Sequence, residues 1–185
     1  MMPCYVGGKG KSASASTTDF KVAVFGFLES TGLGYDTRYR YYRRQYPHMS
    51  REQLARMVCD PIEDYDREWP DYRARHGGSM SEDALLTAFV LEKDRNFRDE
   101  ARAAIFCYDE AGLGTGINSM QLLADGKPLI GFFSRDPIRG PVNVQNILQL
   151  ELLYPSLVTL VRYNDLNEVG PSLTRWLTEL EPTGF

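Results

Sequence analysis

Residues 103–133 read A-A-I-F-C-Y-D-E-A-G-L-G-T-G-I-N-S-M-Q-L-L-A-D-G-K-P-L-I-G-F-F and indicate the class of fold. It opens with the apolar run 103–108, which is typical of a buried strand, and continues into a glycine turn over 109–116. A helix is predicted over 118–124 and a second apolar strand over 127–133. Strand, glycine turn, helix and strand make a βαβ unit, in which the two strands are parallel.

The rest of the chain continues this alternation of strands and helices. Upstream, residues 21–28 are a β-branched and aromatic run that predicts a first buried strand. The other predicted elements are helices over 50–60, 81–102, 143–153 and 165–180, a strand over 157–161, and a long loop or lid over 64–80. We therefore predict an α/β fold, a Rossmann-like three-layer domain with a mainly parallel sheet.

Length and composition indicate one globular domain. The 185 residues argue for a single domain over 20–185, and the small polar residues 1–19 predict a flexible leader. A formal net charge of -4 disfavours non-specific binding to nucleic acid. Because no apolar run approaches the roughly 20 residues that cross a bilayer, we expect a cytoplasmic protein that does not enter the membrane.

Metal and P-loop sites have little support in the sequence. The three cysteines, Cys4, Cys59 and Cys107, form no C-x-x-C pair, and only two histidines accompany them. We expect reduced thiols, no metal and no cofactor. The string Gly10-Lys11-Ser12 is not a P-loop, because Tyr5 stands where that motif requires its first glycine.

The loop after the strand 103–108 is the best candidate for a ligand site. In open α/β sheets ligands bind beyond the carboxyl ends of the strands. Asp109 and Glu110 supply carboxylates there, and the following glycines, with the N-terminus of the next helix, suit the close approach of an anion. The alternative is that the glycines only make a tight connection and that Asn118 caps the helix.

At this loop the sequence resembles a known family. The run D-E-A-G-L-G-T-G-I-N-S-M-Q-L-L-A-D-G-K-P-L-I-G-F-F and the preceding D-R-N-F-R-D-E-A-R-A-A-I-F-C-Y are similar to the signature region of the nucleoside 2-deoxyribosyltransferase superfamily, which includes nucleotide N-glycosidases. The resemblance covers residues 94–133. It implies a Rossmann-like domain in which a carboxylate attacks the anomeric carbon of a nucleoside and releases the base.

One departure bears on the chemistry that the resemblance implies. The family's nucleophile is the Glu of G-T-x-x-E, but here Gly114-Thr115 leads to Asn118, and an amide cannot form the same glycosyl ester. Either another carboxylate substitutes, or the chain has kept the pocket without the hydrolysis. Glu110 and Asp109 are the remaining acid or base candidates, with solvated turn residues as the alternative. Gly112, Gly114 and Thr115 are the expected substrate-binding residues of this loop.

The loop after the first predicted strand is expected to face this site, since in the family it helps to hold the base. It offers Glu29, Tyr35, Asp36 and Arg38, and residues 35–46 contain five Tyr and four Arg. Aromatic rings stack on bases and Arg pairs with phosphate, so a nucleotide-facing wall is one interpretation. The alternative is an amphipathic helix whose tyrosines pack on the sheet.

The resemblance leaves three functions open. The first is N-glycosidic bond hydrolysis or base transfer on a nucleoside or nucleotide, and the second is a catalytically inactive nucleotide-sensing or scaffold domain. The third is an NAD glycohydrolase-like activity, since similar α/β domains of the Toll/interleukin-receptor type place a carboxylate beside a nicotinamide riboside. In each case the partner is a small molecule. A homodimer is expected because family members often complete one another's sites, with the tyrosine-rich segment as a candidate interface.

Overall fold

The structure, a computed structural model, describes residues 1–9, 14–59, 62–78, 80–136 and 144–180. The strands are β1 Met2–Gly7, β2 Gly34–Asp36, β3 Ala103–Cys107, β4 Leu129–Ser134 and β5 Val158–Tyr163. The α-helices are α1 Ala15–Thr31, α2 Thr37–Gln45, α3 Arg51–Cys59, α4 Ile62–His76, α5 Glu82–Glu100, α6 Leu113–Ala124, α7 Val144–Leu153 and α8 Val169–Leu180. A 3-10 turn, Leu166–Glu168, precedes α8.

The five strands form one parallel sheet in the order β2-β1-β3-β4-β5. Buried side chains cover both of its faces. On one face, Cys4, Val6, Ile105 and Phe132 pack with residues of α1, α2, α3 and α8. On the other, Tyr5, Phe106, Tyr108 and Phe133 pack with residues of α5, α6 and α7. The predicted α/β class and Rossmann-like three-layer architecture are confirmed.

The flexible leader predicted for residues 1–19 is wrong. Met2–Gly7 is β1, which pairs with β2 on one side and β3 on the other, and its Cys4, Tyr5 and Val6 are buried. A run of three apolar side chains between Pro3 and Gly7 is too short to show a period in the sequence. Pairing with two neighbours supplies the stability that the local sequence does not indicate.

The strand predicted for residues 21–28 is also wrong, because this run lies inside α1. The buried apolar side chains Phe20, Val24, Phe25 and Leu28 recur at helical spacing and pack on the sheet. Their β-branched and aromatic character favours a strand locally, but packing of one helical face overrides that propensity. The loop that was expected after this strand is therefore the end of a helix, closed by Gly32 at φ 66°.

Two further segments differ from the predictions. The loop or lid expected over 64–80 is mostly helix α4, which contains Pro70 and packs Trp69 and Tyr72 against Phe89 of α5. Helix α6 begins at Leu113 rather than 118, so Gly114 and Gly116 are helical. The predicted strands 103–108, 127–133 and 157–161 correspond to β3, β4 and β5, and the predicted helices 50–60, 81–102, 143–153 and 165–180 to α3, α5, α7 and α8, with small shifts of their ends.

The sheet order creates a switch point between β1 and β3. After β1 the chain crosses to α1 on one face, whereas after β3 it crosses to α6 on the other. The two connections therefore diverge at the carboxyl edge of adjacent strands and leave a crevice between them, which is where open α/β sheets bind ligands.

Candidate ligand-binding site

A cavity of about 1290 Å³ opens at this switch point. Its walls come from the β1–α1 connection, the β3–α6 connection, α6 and α7. The polar lining comprises Lys9, Ser14, Ser16, Asp109 and Glu110, with the amide side chains of Gln121, Asn146 and Gln149. The apolar lining includes Leu113, Ile117, Met120, Ile147, Leu150 and Leu153. Such a cavity accommodates a molecule with one apolar part and one polar or anionic part.

Two glycines let the β1–α1 connection approach β3 closely. A Cβ on Gly7 would lie 2.1 Å from the ring of Phe106, and one on Gly8 would lie 3.1 Å from the carbonyl oxygen of Cys107. Gly8 also has a φ of 144°, which other residues rarely adopt. The chain then reaches Ser14, the N-cap of α1. Beneath the connection, the buried Lys21 donates a hydrogen bond to the carbonyl oxygen of Lys9 at 3.2 Å.

The carboxylate of Glu110 crosses the crevice to the N-terminus of α1. Its Oε2 accepts hydrogen bonds from the backbone N–H of Ser14 at 2.9 Å, the Ser14 hydroxyl at 2.7 Å and the Thr17 hydroxyl at 2.6 Å. The Lys9 ammonium lies 3.3 Å from Oε1. Helix α1 has no acidic residue in its own first turn, so Glu110 is the carboxylate that complements this end of its dipole.

These donors keep Glu110 ionised. Burial acts to raise the pKa of this carboxyl, but the hydrogen bonds from Thr17, Ser14 and Lys9 outweigh it and lower the pKa to about 2. A carboxyl with this pKa carries no proton to donate near neutral pH. In this arrangement Glu110 suits charge stabilisation better than general acid catalysis.

Asp109 also lines the cavity, but other contacts hold it at the edge of the sheet. Its Oδ1 accepts a hydrogen bond from the backbone N–H of Ser134 at 2.6 Å, and its Oδ2 accepts one from the Tyr163 hydroxyl. Burial, followed by this hydrogen bond, raises the pKa of Tyr163. Asp109 therefore ties the ends of β3, β4 and β5 together beside the cavity.

Asn118 points away from the cavity. Its Nδ2 donates to the hydroxyl of Tyr5 at 3.0 Å, and its Oδ1 accepts from Nη1 of Arg98 at 2.8 Å. The same Tyr5 hydroxyl donates to Asp94 at 2.8 Å, and Arg98 pairs with Asp94 at 2.6 Å. Asn118 is not the N-cap of α6, a position held by Gly112. Its side chain joins α6 to β1 and α5, which is a structural role.

The tyrosine-rich segment does not reach the cavity either. Asp36 is buried and caps α2, accepting hydrogen bonds from the backbone N–H of Tyr39 and of Val6. The guanidinium of Arg38 lies 4.3 Å above the ring of Tyr5, and Tyr35 donates to Glu100 at the sheet edge. The buried rings of α2 include Tyr39, which stacks on Phe25 of α1. Packing on the core, the alternative given for this segment, is the observed arrangement.

Of the three loop residues expected to bind substrate, one lines the cavity and two lie in α6 outside its lining. Gly112 lines the cavity beside Asp109 and Glu110. Gly114 is exposed on α6 but lies outside the lining, and Thr115 is buried, with its carbonyl oxygen accepting from Ser119. The sequence-predicted residues that meet at the cavity are therefore the two carboxylates and this one glycine.

Two walls of the cavity, the β1–α1 connection and α7, were not predicted from the sequence. Lys9, Ser14, Ser16 and Thr17 lie in the segment expected to be a leader, yet they surround Glu110 and the cavity. The signal that could have found them is Gly7-Gly8-Lys9 directly after the apolar Cys4-Tyr5-Val6, a strand followed by a glycine turn. Gly10-Lys11-Ser12 lies outside the described residues. The amides of α7 carried no sequence signal, because exposed Asn and Gln are common.

Within the described residues, no group of three His, Cys, Asp or Glu side chains is placed to hold a metal ion. Among the helices that the structure describes, none combines the length and apolar character needed to cross a membrane. Burial, followed by the charge of Asp109, raises the pKa of the Cys107 thiol to about 12, and burial likewise raises the pKa of Cys4. Neither thiol supplies a thiolate nucleophile.

No protein-family model and no curated protein sequence matches the chain.

Proposed function

We propose that the protein binds a nucleoside or nucleotide in the cavity between α6, α7 and the two connections. The observation that carries this proposal is the position and composition of the cavity at the β1/β3 switch point. Its apolar lining suits the faces of a base, and the amides of Gln121, Asn146 and Gln149 have the paired donor and acceptor groups that recognise base edges. Lys9 and Ser14 suit a phosphate or a sugar hydroxyl.

Binding without cleavage is the activity that the geometry supports best. Asn118 stands where the resembling family has its nucleophilic Glu, and its amide is held by Tyr5 and Arg98 outside the cavity. Glu110 is ionised and held by four donors, and Asp109 is bound to Ser134 and Tyr163. Among the described residues that line the cavity, no carboxyl is both protonated and free to reach a leaving base. A nucleotide-sensing or scaffold role fits these contacts.

N-glycosidic cleavage is the second candidate, and the ionised Glu110 on the cavity wall favours it. A carboxylate there can stabilise the positive charge that develops at the anomeric carbon as the bond to the base breaks. It can also attack that carbon and form a glycosyl ester while the base leaves. Hydrolysis, transfer of the base and release of nicotinamide from NAD share this requirement.

Two glycines of α6 supply a matched test of the binding site. Gly116 lines the cavity, whereas Gly114 does not, and at neither position would an added Cβ have a neighbouring atom within 4 Å. We expect Gly116→Phe to weaken binding at least tenfold by filling the cavity, and Gly114→Phe to bind as the wild type does. Calorimetry with nucleosides, nucleoside monophosphates and NAD measures this. Equal affinities for the two variants, or no binding by the wild type, would contradict the proposal.

The same mixtures separate the two candidate functions. Chromatography of each incubation detects free base. Binding with no free base supports the sensing role, and free base that the wild type releases but Gly116→Phe does not would support cleavage in this cavity.

We further propose that the protein forms a homodimer through the exposed face of α6 and α7. Leu113 of α6 and Leu152 and Leu153 of α7 are 83%, 81% and 64% exposed, and Leu113 and Leu153 also line the cavity. Helix α6 has no charged residue, and Glu151, the one charge on α7, accepts a hydrogen bond from the backbone N–H of Leu160. We take a second copy of the chain as the partner. Two molecules of net charge -4 repel each other least when they meet at surfaces that carry few charges.

Sedimentation of leucine variants tests this interface. Leu152→Glu is expected to convert the dimer to monomer, whereas Leu91→Glu, at a 51% exposed leucine of α5, is expected to leave it intact. A monomeric wild type, or a dimer that survives Leu152→Glu, would contradict this interface.

A further inference from the structure

We propose that Glu110 is an internal ligand of the site, which holds the N-terminus of α1 until an anionic group of the bound molecule takes its place. The inference rests on the proposed function and adds to it the class of ligand, a phosphate-bearing one, and the means by which the protein responds to it.

The first observation is the set of donors around the carboxylate. One backbone N–H, two hydroxyls and an ammonium converge on Glu110 from the β1–α1 connection and the first turn of α1. The Ser16 hydroxyl lies 2.7 Å from that of Ser14 and adds a further polar group. Hydroxyls, a lysine and the N-terminus of a helix are the groups that proteins use to bind phosphate. That this set accepts an anion is shown by the carboxylate already lying in it.

The second observation is that the donors other than the buried Thr17 hydroxyl line the cavity. Lys9, Ser14 and Ser16 line it together with Glu110. A nucleotide whose base lies between α6 and α7 would therefore direct its phosphate toward the same donors. A molecule without a negative charge has much less to gain there, because the carboxylate already satisfies the helix terminus.

The third observation is that Glu110 is partly exposed and lies outside the regular elements. Its side chain is 24% exposed, and it belongs to a connection rather than to a strand or helix. Gly112, two residues later, has no atom within 4 Å of the position of an added Cβ, so the backbone there has open space around it. Departure of Glu110 would also break the contact that joins the β3–α6 connection to α1. Phosphate binding would thereby release the β3–α6 connection from the first turn of α1.

Removing the charge of Glu110 tests the exchange. Inorganic phosphate is the probe, and its affinity is measured by calorimetry for the wild type, Glu110→Gln and Asp125→Asn. The last variant removes one negative charge at the opposite, exposed end of α6 and controls for net charge. We expect Glu110→Gln to bind phosphate at least tenfold more tightly than the wild type, and Asp125→Asn to match the wild type within twofold. Equal affinities for all three proteins, or an equal gain in the two variants, would overturn the proposal.

A measurement on the wild type covers the case in which Glu110→Gln fails to fold. With 13C-labelled glutamate, the side-chain carboxyl resonance of Glu110, assigned with Glu110→Asp, is expected to move toward those of exposed glutamates as phosphate saturates the protein. A resonance that stays fixed while phosphate binds would overturn the exchange.

A parallel titration with uncharged nucleosides separates this inference from the proposed function. If nucleosides bind and phosphate does not exchange with Glu110, the internal ligand is wrong and the nucleoside site remains. If phosphate binds Glu110→Gln tightly but no nucleoside or nucleotide binds any of the proteins, the exchange stands and the proposed function is wrong.

Discussion

The Thr17 hydroxyl donates a 2.6 Å hydrogen bond to the carboxylate of Glu110, 93 residues further along the chain. This contact joins the first turn of α1 to the connection that follows β3, across the switch point of the sheet. It is also the shortest of the contacts that hold Glu110 ionised.

The first prediction is that Glu110 stabilises the fold in a pH-dependent way. Its pKa is about 2 in the folded protein, against about 4.3 for an unperturbed glutamate. Because the folded pKa is the lower one, the stabilisation is complete above the unfolded pKa and is lost as the pH falls from about 4.3 toward 2. Screening by solvent limits it to about 1 to 2 kcal/mol.

Urea unfolding of the wild type and Glu110→Gln between pH 7 and pH 2.5 measures this contribution. We expect the variant to be less stable by that amount at pH 7 and the difference to shrink steadily below pH 4. A difference independent of pH would contradict the role given to the carboxylate.

The second prediction concerns the buried hydroxyl of Tyr5, which accepts from Asn118 and donates to Asp94. Tyr5→Phe leaves both partners without that bond in a partly buried setting and should lower the free energy of unfolding by about 1 to 2 kcal/mol. Tyr35→Phe is the control, since the Tyr35 hydroxyl makes one exposed hydrogen bond with Glu100. It should cost less than about 0.5 kcal/mol. Equal losses in the two variants would contradict a stabilising role of the Tyr5 hydrogen bonds.

The third prediction is that Asn118→Glu does not produce base release. The new carboxylate would lie beside the guanidinium of Arg98 and the hydroxyl of Tyr5, on the side of α6 that faces away from the cavity. Asn118→Gln is the neutral control of matching length. Chromatography after incubation with nucleosides and nucleoside monophosphates is expected to find no more free base with Glu than with Gln. Release by the Glu variant alone would mean that residue 118 faces bound substrate.

The fourth prediction tests the close approach of β1 to β3. A Cβ at Gly7 would lie 2.1 Å from the Phe106 ring, which is buried between strands and helices. Gly7→Ala should therefore destabilise the protein by about 1 to 3 kcal/mol. Gly78→Ala, at an exposed turn with no atom within 4 Å of the added Cβ, should stay within about 0.5 kcal/mol of the wild type. Thermal or urea unfolding distinguishes the two, and similar losses would contradict the packing described for β1.

The sequence predicts the half of the fold in which local pattern and tertiary structure agree. The region 103–133 has the predicted order of strand, glycine turn, helix and strand, although the turn is shorter than predicted because α6 begins at Leu113. The N-terminal half does not behave in this way. Most of the large apolar residues of α1 are Val or Phe, so their composition favours a strand, while only the spacing of Phe20, Val24 and Leu28 indicates a helix.

The site was predictable only in part for a similar reason. Asp109, Glu110 and Gly112 belong to a recognisable turn, and the cavity includes them. Ser14 and Thr17 matter because β1 carries the following connection across to Glu110, a placement that depends on the pairing of β1 with β3. Pairing between strands almost a hundred residues apart leaves no local pattern in the sequence.

The function proposed for the protein is the binding of a nucleoside or nucleotide in the cavity beside α6 and α7. Methyl resonances of 13C-labelled methionine report on it directly, because Met120 lines the cavity while Met57 packs in the core on the opposite face of the sheet. During titration with nucleosides and nucleoside monophosphates, we predict a saturable shift of the Met120 methyl resonance and no comparable shift at Met57. A Met120 resonance that does not move with any of these compounds, or moves no more than that of Met57, would contradict the account.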